Sequence, residues 1–143
     1  MGVKVKLSII TNGTLITDSK ARFLKEKGFS VMVSLDGLGV FNDARKYMDG
    51  RPSVPQVLRG IERLLDAQIK PTILTTISDL NIDGLWDLML YAREKGLILS
   101  LSLSRDYEHG VGLRMNSNNV AIGVKDFLER IGTFAVEIPH LRI

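Results

Sequence analysis

Four times along the 143-residue chain, a short β-branched apolar run is followed by a run with helical apolar spacing, and this alternation constrains the fold more than any other feature. Val3 to Ile10 is apolar at most non-lysine positions and ends at the turn signal Thr11-Asn12-Gly13. Thr17 or Asp18 caps a helix through Lys27, with Ala21 and Leu24 facing inward and Gly28 as its left-handed stop. Phe29 to Leu35 is the second strand, closed by Asp36-Gly37 and followed by a long loop, Leu38 to Pro52. Ser53 then caps a helix with Val54, Val57, Leu58, Ile61, Leu64 and Leu65 at near-ideal spacing, and Pro55 falls in its first turn, where a missing N–H costs little.

Thr72 to Ser78 is the third strand. Asn81 or Asp83 caps a helix carrying Leu85, Leu88, Met89 and Ala92 on one face and ending at Gly96. Leu97 to Leu103 is the fourth strand, whose Leu-Ser alternation predicts one face against helices and one against something more polar. Arg105 to Asn116 reads as loop. Ser117 or Asn118 opens a helix through Ile131, with Val120, Val124, Phe127, Leu128 and Ile131 inward, and Thr133 to Ile143 is an apolar tail, read as a fifth strand. Strands alternating with helices imply α/β architecture, with parallel strands and right-handed crossovers, as in a barrel or a doubly wound sheet. A complete eight-stranded barrel typically needs about 250 residues, so residues 1–143 are expected to form a single domain with only part of one.

The sequence contains 0 cysteines and 2 histidines, His109 and His140. Disulfides, thiol nucleophiles, thiolate zinc sites and cysteine-held clusters are therefore excluded within this chain. The net charge of +3 comes from scattered basic residues without interleaved aromatics, which argues against a nucleic-acid partner. No apolar run has membrane-spanning length, and Met1 to Lys6 alternates Val with Lys, so no membrane association and a cytoplasmic location are expected.

In either architecture ligands gather at the carboxyl ends of the strands. There stand Thr11, Asn12 and Gly13; Ser34, Asp36 and Gly37; Thr76 and Ser78; and Ser102, Ser104, Arg105 and Asp106. This set is small, polar and rich in hydroxyls, without a nucleophile–base pair, and suits recognition of a polar ligand better than acyl transfer. No catalytic residue and no metal ligand is singled out. Asn12-Gly13 and Asp36-Gly37 also read simply as tight turns, Arg45 and His109 as loop residues, and Trp86 as packing. Asp79, Asp83 and Asp87 read as caps and solvated helix positions. Ser34 is harder to explain structurally, because a hydroxyl near the end of a core strand must find a partner.

The order of these features resembles the radical S-adenosylmethionine (SAM) superfamily, especially proteins akin to anaerobic sulfatase-maturating enzymes and peptide-modifying SPASM proteins. Ile10-Thr11-Asn12-Gly13-Thr14-Leu15 resembles the family's "TNGTLL" at the end of the third barrel strand. Val33-Ser34-Leu35-Asp36-Gly37 resembles its fourth-strand "SLDG", and Asn42-Asp43-Ala44-Arg45 resembles "HD..R" with asparagine replacing histidine and one residue fewer before the arginine. Gly50 to Val57 and the helix Gly60 to Leu65 resemble "G.GSF..V..GI..L". The resemblance covers roughly residues 3 to 106, leaving 107–143 as loop, helix and tail.

It implies a partial TIM-like (β/α) barrel of about four parallel βα units, the family's strands three to six. It also implies that Ser34 and Arg45 contact the methionine end of SAM, a role suited to a hydroxyl and a guanidinium facing a carboxylate. Asn12 and Asp36, inside the two matched motifs, join them as candidate cofactor-binding residues. The CxxxCxxC loop that holds the family's [4Fe–4S] cluster and the glycine-rich motif after its second strand are absent. A cluster is expected only in a complete parent barrel, in a part lying before Met1, and this chain is expected to be catalytically silent alone. A half-barrel leaves a strand edge and a sheet face uncovered, so the missing barrel half or a second copy is the expected partner. Two other readings are a non-catalytic SAM- or partner-binding module on the same scaffold and an unrelated flavodoxin-like or Rossmann-type binder. Against the last, no G-x-G-x-x-G follows the first strand.

Overall fold

A computed structural model describes residues 5–103 and 117–137. Four parallel strands form one sheet in sequential order: β1 (Ser8–Thr11), β2 (Ser30–Ser34), β3 (Thr72–Ile77) and β4 (Ile98–Leu103). Between them run α1 (Asp18–Glu26), α2 (Val54–Asp66) and α3 (Leu85–Glu94), and α4 (Ser117–Glu137) follows β4. The sheet is not closed. An unbroken 1-2-3-4 order lacks the reversal of strand order that creates a doubly wound ligand crevice, so the flavodoxin-like alternative is overturned.

The expected elements form where the sequence places them, with shorter strands. Thr17 caps α1, its hydroxyl accepting from the Lys20 N–H at 3.3 Å. Ala21 and Leu24 of α1, Val57, Ile61 and Leu64 of α2, and Leu88 and Ala92 of α3 are buried with Val31, Val33 and Ile73 of the sheet. That one core joins helices α1–α3 to a single sheet face. On the other face the register aligns Ile10, Met32, Thr72 and Ile98 in one row and Ser34, Leu74 and Ser100 in another. Ile10 and Ile98 there are 62% and 69% exposed.

α2 is locked to the loop after β1 by a close approach of backbones. A Cβ at Gly60 would stand 2.1 Å from the Gly13 carbonyl oxygen, so no side chain fits, and Gly13 itself turns through φ +74°. Arg63 of α2 adds a 2.7 Å hydrogen bond to the Ile16 carbonyl.

Several expectations are corrected. Ser53 precedes α2 but makes no side-chain cap, because its hydroxyl accepts instead from Asn42 at 3.1 Å. Asn81 likewise caps nothing; a short 3₁₀ segment, Ile82–Gly84, leads into α3. The loop after β2 contains a second 3₁₀ segment, Gly39–Arg45. The fifth strand is contradicted for Thr133 to Glu137, which continue α4, because that helix finds apolar neighbours in Ile77, Ile82 and Leu85. Residues 138–143 lie outside the described residues, as does the loop with Arg105, Asp106 and His109. Val120 and Phe127 of α4 are buried as expected and Val124 and Ile131 half-buried, but Leu128 is 58% exposed. In β4 the alternation sets the facing correctly, yet only Leu99 packs on the core, while Leu101 and Leu103 remain exposed on an edge strand. Trp86 packs edge-on against Phe127, with the Arg130 guanidinium 4.1 Å from its ring centroid.

Candidate functional site

At the carboxyl ends of β1 and β2 a cavity of about 100 Å³ is lined by Asn12, Thr14, Ser34, Asn42, Arg45, Lys46, Tyr47, Ser53 and Val57. Three of the four candidate residues, Asn12, Ser34 and Arg45, thus meet in one place. The fourth, Asp36, lies behind Arg45. It is buried and takes the guanidinium in a two-point pair, Nε donating to Oδ2 at 2.6 Å and Nη2 to Oδ1 at 3.1 Å. Bidentate pairing of this kind fixes direction as well as charge.

The four residues differ in what they leave free. The Asn12 side-chain oxygen, Oδ1, accepts from the Thr14 N–H at 3.2 Å and hydroxyl at 2.9 Å, so its tight-turn reading holds while it also lines the cavity. Asp36 is turned away from ligand duty, since its carboxylate also accepts from the Thr76 N–H at 3.0 Å. Ser34 is the opposite case. It is half-buried, lies on the open face of the sheet, and its hydroxyl makes no hydrogen bond among the described residues. A hydroxyl and part of a guanidinium, both donors, face the cavity, a composition that can hold a carboxylate.

Reasoning from sequence missed the residues that hold this site together. Asn42, 1% exposed, accepts from the Asp36 N–H at 2.8 Å and donates to Ser53. Asn81, also 1% exposed, donates to the Asp36 carbonyl at 2.8 Å and the Thr76 carbonyl at 2.9 Å, and accepts from the Ser78 N–H at 2.8 Å. Thr75 donates to the Leu35 carbonyl at 2.7 Å. These bonds stitch the ends of β2 and β3 where the sheet ladder stops. The signals in the sequence were indirect: Asn42 stood in the matched loop motif without a role of its own, and Asn81 read only as a helix cap. Of the other strand-end candidates, Ser78 serves this network, Ser102 donates weakly to the Thr75 carbonyl at 3.4 Å, and Ser104, Arg105 and Asp106 lie outside the described residues.

A larger cavity, about 500 Å³, lies at the opposite end of the sheet among Lys25, Phe29, Ser30, Lys70 and Thr72. It sits at the amino ends of the strands, where barrel conservation serves stability and not chemistry.

The profile of the radical SAM superfamily matches residues 2–92. The chain belongs to that superfamily. A serine-type anaerobic sulfatase-maturating enzyme of Bacteroides thetaiotaomicron is 34% identical over 87 residues, covering 60% of this chain and 21% of the relative. The Fe-coproporphyrin III synthase of Methanosarcina barkeri is 41% identical over 75 residues, covering 52% and 18%. Among solved structures, native anSMEcpe with bound AdoMet and Cp18Cys peptide superposes with a TM-score of 0.77 at 26% identity, over 89% of this chain and 37% of that one. Streptococcus suis SuiB shares the fold at 17% identity, with a TM-score of 0.64 over 88% of this chain and 30% of that one. The chain therefore spans about a fifth of its sulfatase-maturating relative and little more than a third of the anSMEcpe chain. With these neighbours, the open parallel sheet is a partial radical SAM barrel.

The superfamily's iron–sulfur cluster does not fit the residues present. The sequence has 0 cysteines, and among the described residues no group of three His, Asp or Glu side chains could hold a metal ion. No described helix is long and apolar enough to cross a membrane.

Proposed function

We propose that this chain supplies the part of a radical SAM protein that binds the methionine end of SAM, and that alone it does not cleave SAM. The observation that carries the reading is the Ser34 hydroxyl, unpaired among the described residues, beside Arg45 and Asn12 in the cavity at the carboxyl ends of the strands. Ser34 and Arg45 would donate to the SAM carboxylate, while Asn12, tied down by Thr14, would shape the wall. In this superfamily SAM is cleaved by an electron from a thiolate-held cluster, and this chain has no thiol to hold one. The substrate class is proposed from likeness alone: similarity to sulfatase-maturating enzymes and to a peptide-bound structure supports a peptide or similar substrate for the whole assembly. A second polypeptide bearing further βα units, or a second copy, would cover the β1 edge and the exposed face around Ile10 and Ile98. A strictly monomeric mass by light scattering at high dilution argues against self-association.

Calorimetric titration with SAM tests the binding. The native chain is expected to bind saturably, and Ser34→Ala to bind about tenfold more weakly, the order of one hydrogen bond to a charged group. Absence of binding, or equal binding by Ser34→Ala, contradicts the proposal. Anaerobic reconstitution with iron, sulfide, reductant and SAM is expected to give no 5′-deoxyadenosine; turnover would overturn the silent half of the claim.

A further inference from the structure

Arg45 does not set its own position. It closes a 3₁₀ segment on a long loop, its side chain is 35% exposed, and the contact that orients its guanidinium is Asp36. Asp36, in turn, is engaged at every polar atom. Its N–H donates to Asn42 Oδ1, its carbonyl accepts from Asn81 Nδ2, Oδ1 accepts from the Thr76 N–H and Arg45 Nη2, and Oδ2 accepts from Arg45 Nε. A carboxylate anchored on both sides of its own backbone cannot swing to follow the arginine, so the arginine must follow it.

Asn42 closes this chain of contacts on the cavity side. It stands three residues before Arg45, yet its side chain turns inward and is 1% exposed. One end of its amide takes the Asp36 N–H at 2.8 Å, and the other reaches the Ser53 hydroxyl at 3.1 Å at the entrance to α2. The end of β2, the loop and the start of α2 are thereby fixed to one another by one side chain. These are the three elements that supply Ser34, Arg45 and Val57 to the cavity.

We infer that Asn42 is a positioning residue for Arg45, acting through Asp36 to aim the guanidinium at the place the SAM carboxylate would occupy. The inference rests on the SAM-binding reading for its ligand but on the ligand-free geometry for its mechanism. The role needs one acceptor and one donor on a short planar side chain. A neutral histidine offers both, one ring nitrogen accepting and the other donating, whereas leucine keeps the branching and heavy-atom count of asparagine and offers neither. Asn42→Leu should therefore release Asp36, and Asn42→His should keep it.

The test reads Arg45 directly. In nitrogen-15 NMR spectra of the full chain, the Arg45 Nε–H signal, assigned by its loss in Arg45→Lys, is expected to be sharp and displaced downfield by its carboxylate partner. In Asn42→Leu it should broaden and move toward the position of exposed arginines, and in Asn42→His it should return. SAM is then compared with decarboxylated SAM, which lacks the group Arg45 would contact. The native chain should prefer SAM by about a hundredfold, the order of two hydrogen bonds to a charged group, one from Ser34 and one from Arg45; Asn42→Leu should lose about tenfold of that preference, Ser34 keeping the rest, while holding the decarboxylated compound as before. General loosening would weaken both ligands alike and leave histidine without effect, and that pattern overturns the inference, as does an unchanged Arg45 signal in Asn42→Leu. If Asn42→Leu fails to fold, Ser53→Ala removes one of the two anchors, and an unmoved Arg45 signal there overturns it equally. A native chain that binds neither compound refutes the SAM reading, and the inference about Arg45 then stands or falls on the ligand-free spectra.

Discussion

The two faces of the sheet are built from adjacent residues of the same strands and live in opposite environments. Val33 and Ile73 are fully buried under the helices, while Ile10 and Ile98, one position out of phase, are 62% and 69% exposed. The helix-covered face behaves as a finished core. The other face keeps the mixture of Ile, Met, Leu, Ser and Thr that fills the inside of a barrel, in a chain whose four strands do not close one. Stability should therefore come almost wholly from one face and ligand recognition from the rim of the other.

The largest effect is expected where α2 meets the loop after β1. Gly60→Ala forces a methyl group against the Gly13 backbone and should cost at least about 3 kcal/mol, read as a lowered denaturation midpoint. A neutral outcome would mean that α2 is not seated as described. The comparison itself is tested by a matched pair. Ile73→Ala empties a fully buried site and should cost about 3–4 kcal/mol, whereas Ile98→Ala on the open face should stay within about 0.5 kcal/mol. Equal costs would show that something covers the open face in solution.

The smallest effect concerns Tyr91, which packs on the covered core with its hydroxyl buried and, among the described residues, without a hydrogen-bond partner. Burial first, and the Glu62 carboxylate second, raise its pKa above the ordinary 10.0. The unfolded chain then gives up this proton more readily than the folded one. Stability from this group is complete below pH 10 and is lost as pH rises through the folded pKa. Tyr91→Phe should leave neutral-pH stability unchanged within about 1 kcal/mol and flatten the alkaline loss; a steep loss of stability at neutral pH would reveal a partner for the hydroxyl.

Much of the fold was legible because burial on one side leaves a periodic trace. Val57, Ile61 and Leu64, or Leu85, Leu88 and Ala92, can be read as helix faces directly from their spacing. The site was legible in part. Asn12, Ser34 and Arg45 were recognisable from motif order and do share a cavity, and Asp36 was found but proved to be the anchor of Arg45, not a wall of that cavity. The supporting roles of the amides were not legible, although Asn42 stood in a matched motif, because Asn42 and Asn81 act on backbone groups 6 and 45 residues away from their own positions, pairings that motif order and helical spacing do not encode. The tail failed for a related reason: an apolar stretch carries no mark of whether a strand edge or a helix surface will receive it.

The central claim is that SAM recognition belongs to the carboxyl rim of this partial barrel. Mapping backbone amide shifts during a SAM titration tests it most directly. The account predicts saturable shifts concentrated at Asn12 to Thr14, Ser34 to Asp36 and Arg45 to Tyr47. Shifts gathered instead around Lys25, Phe29 and Lys70, beside the larger cavity at the other end of the sheet, would contradict it.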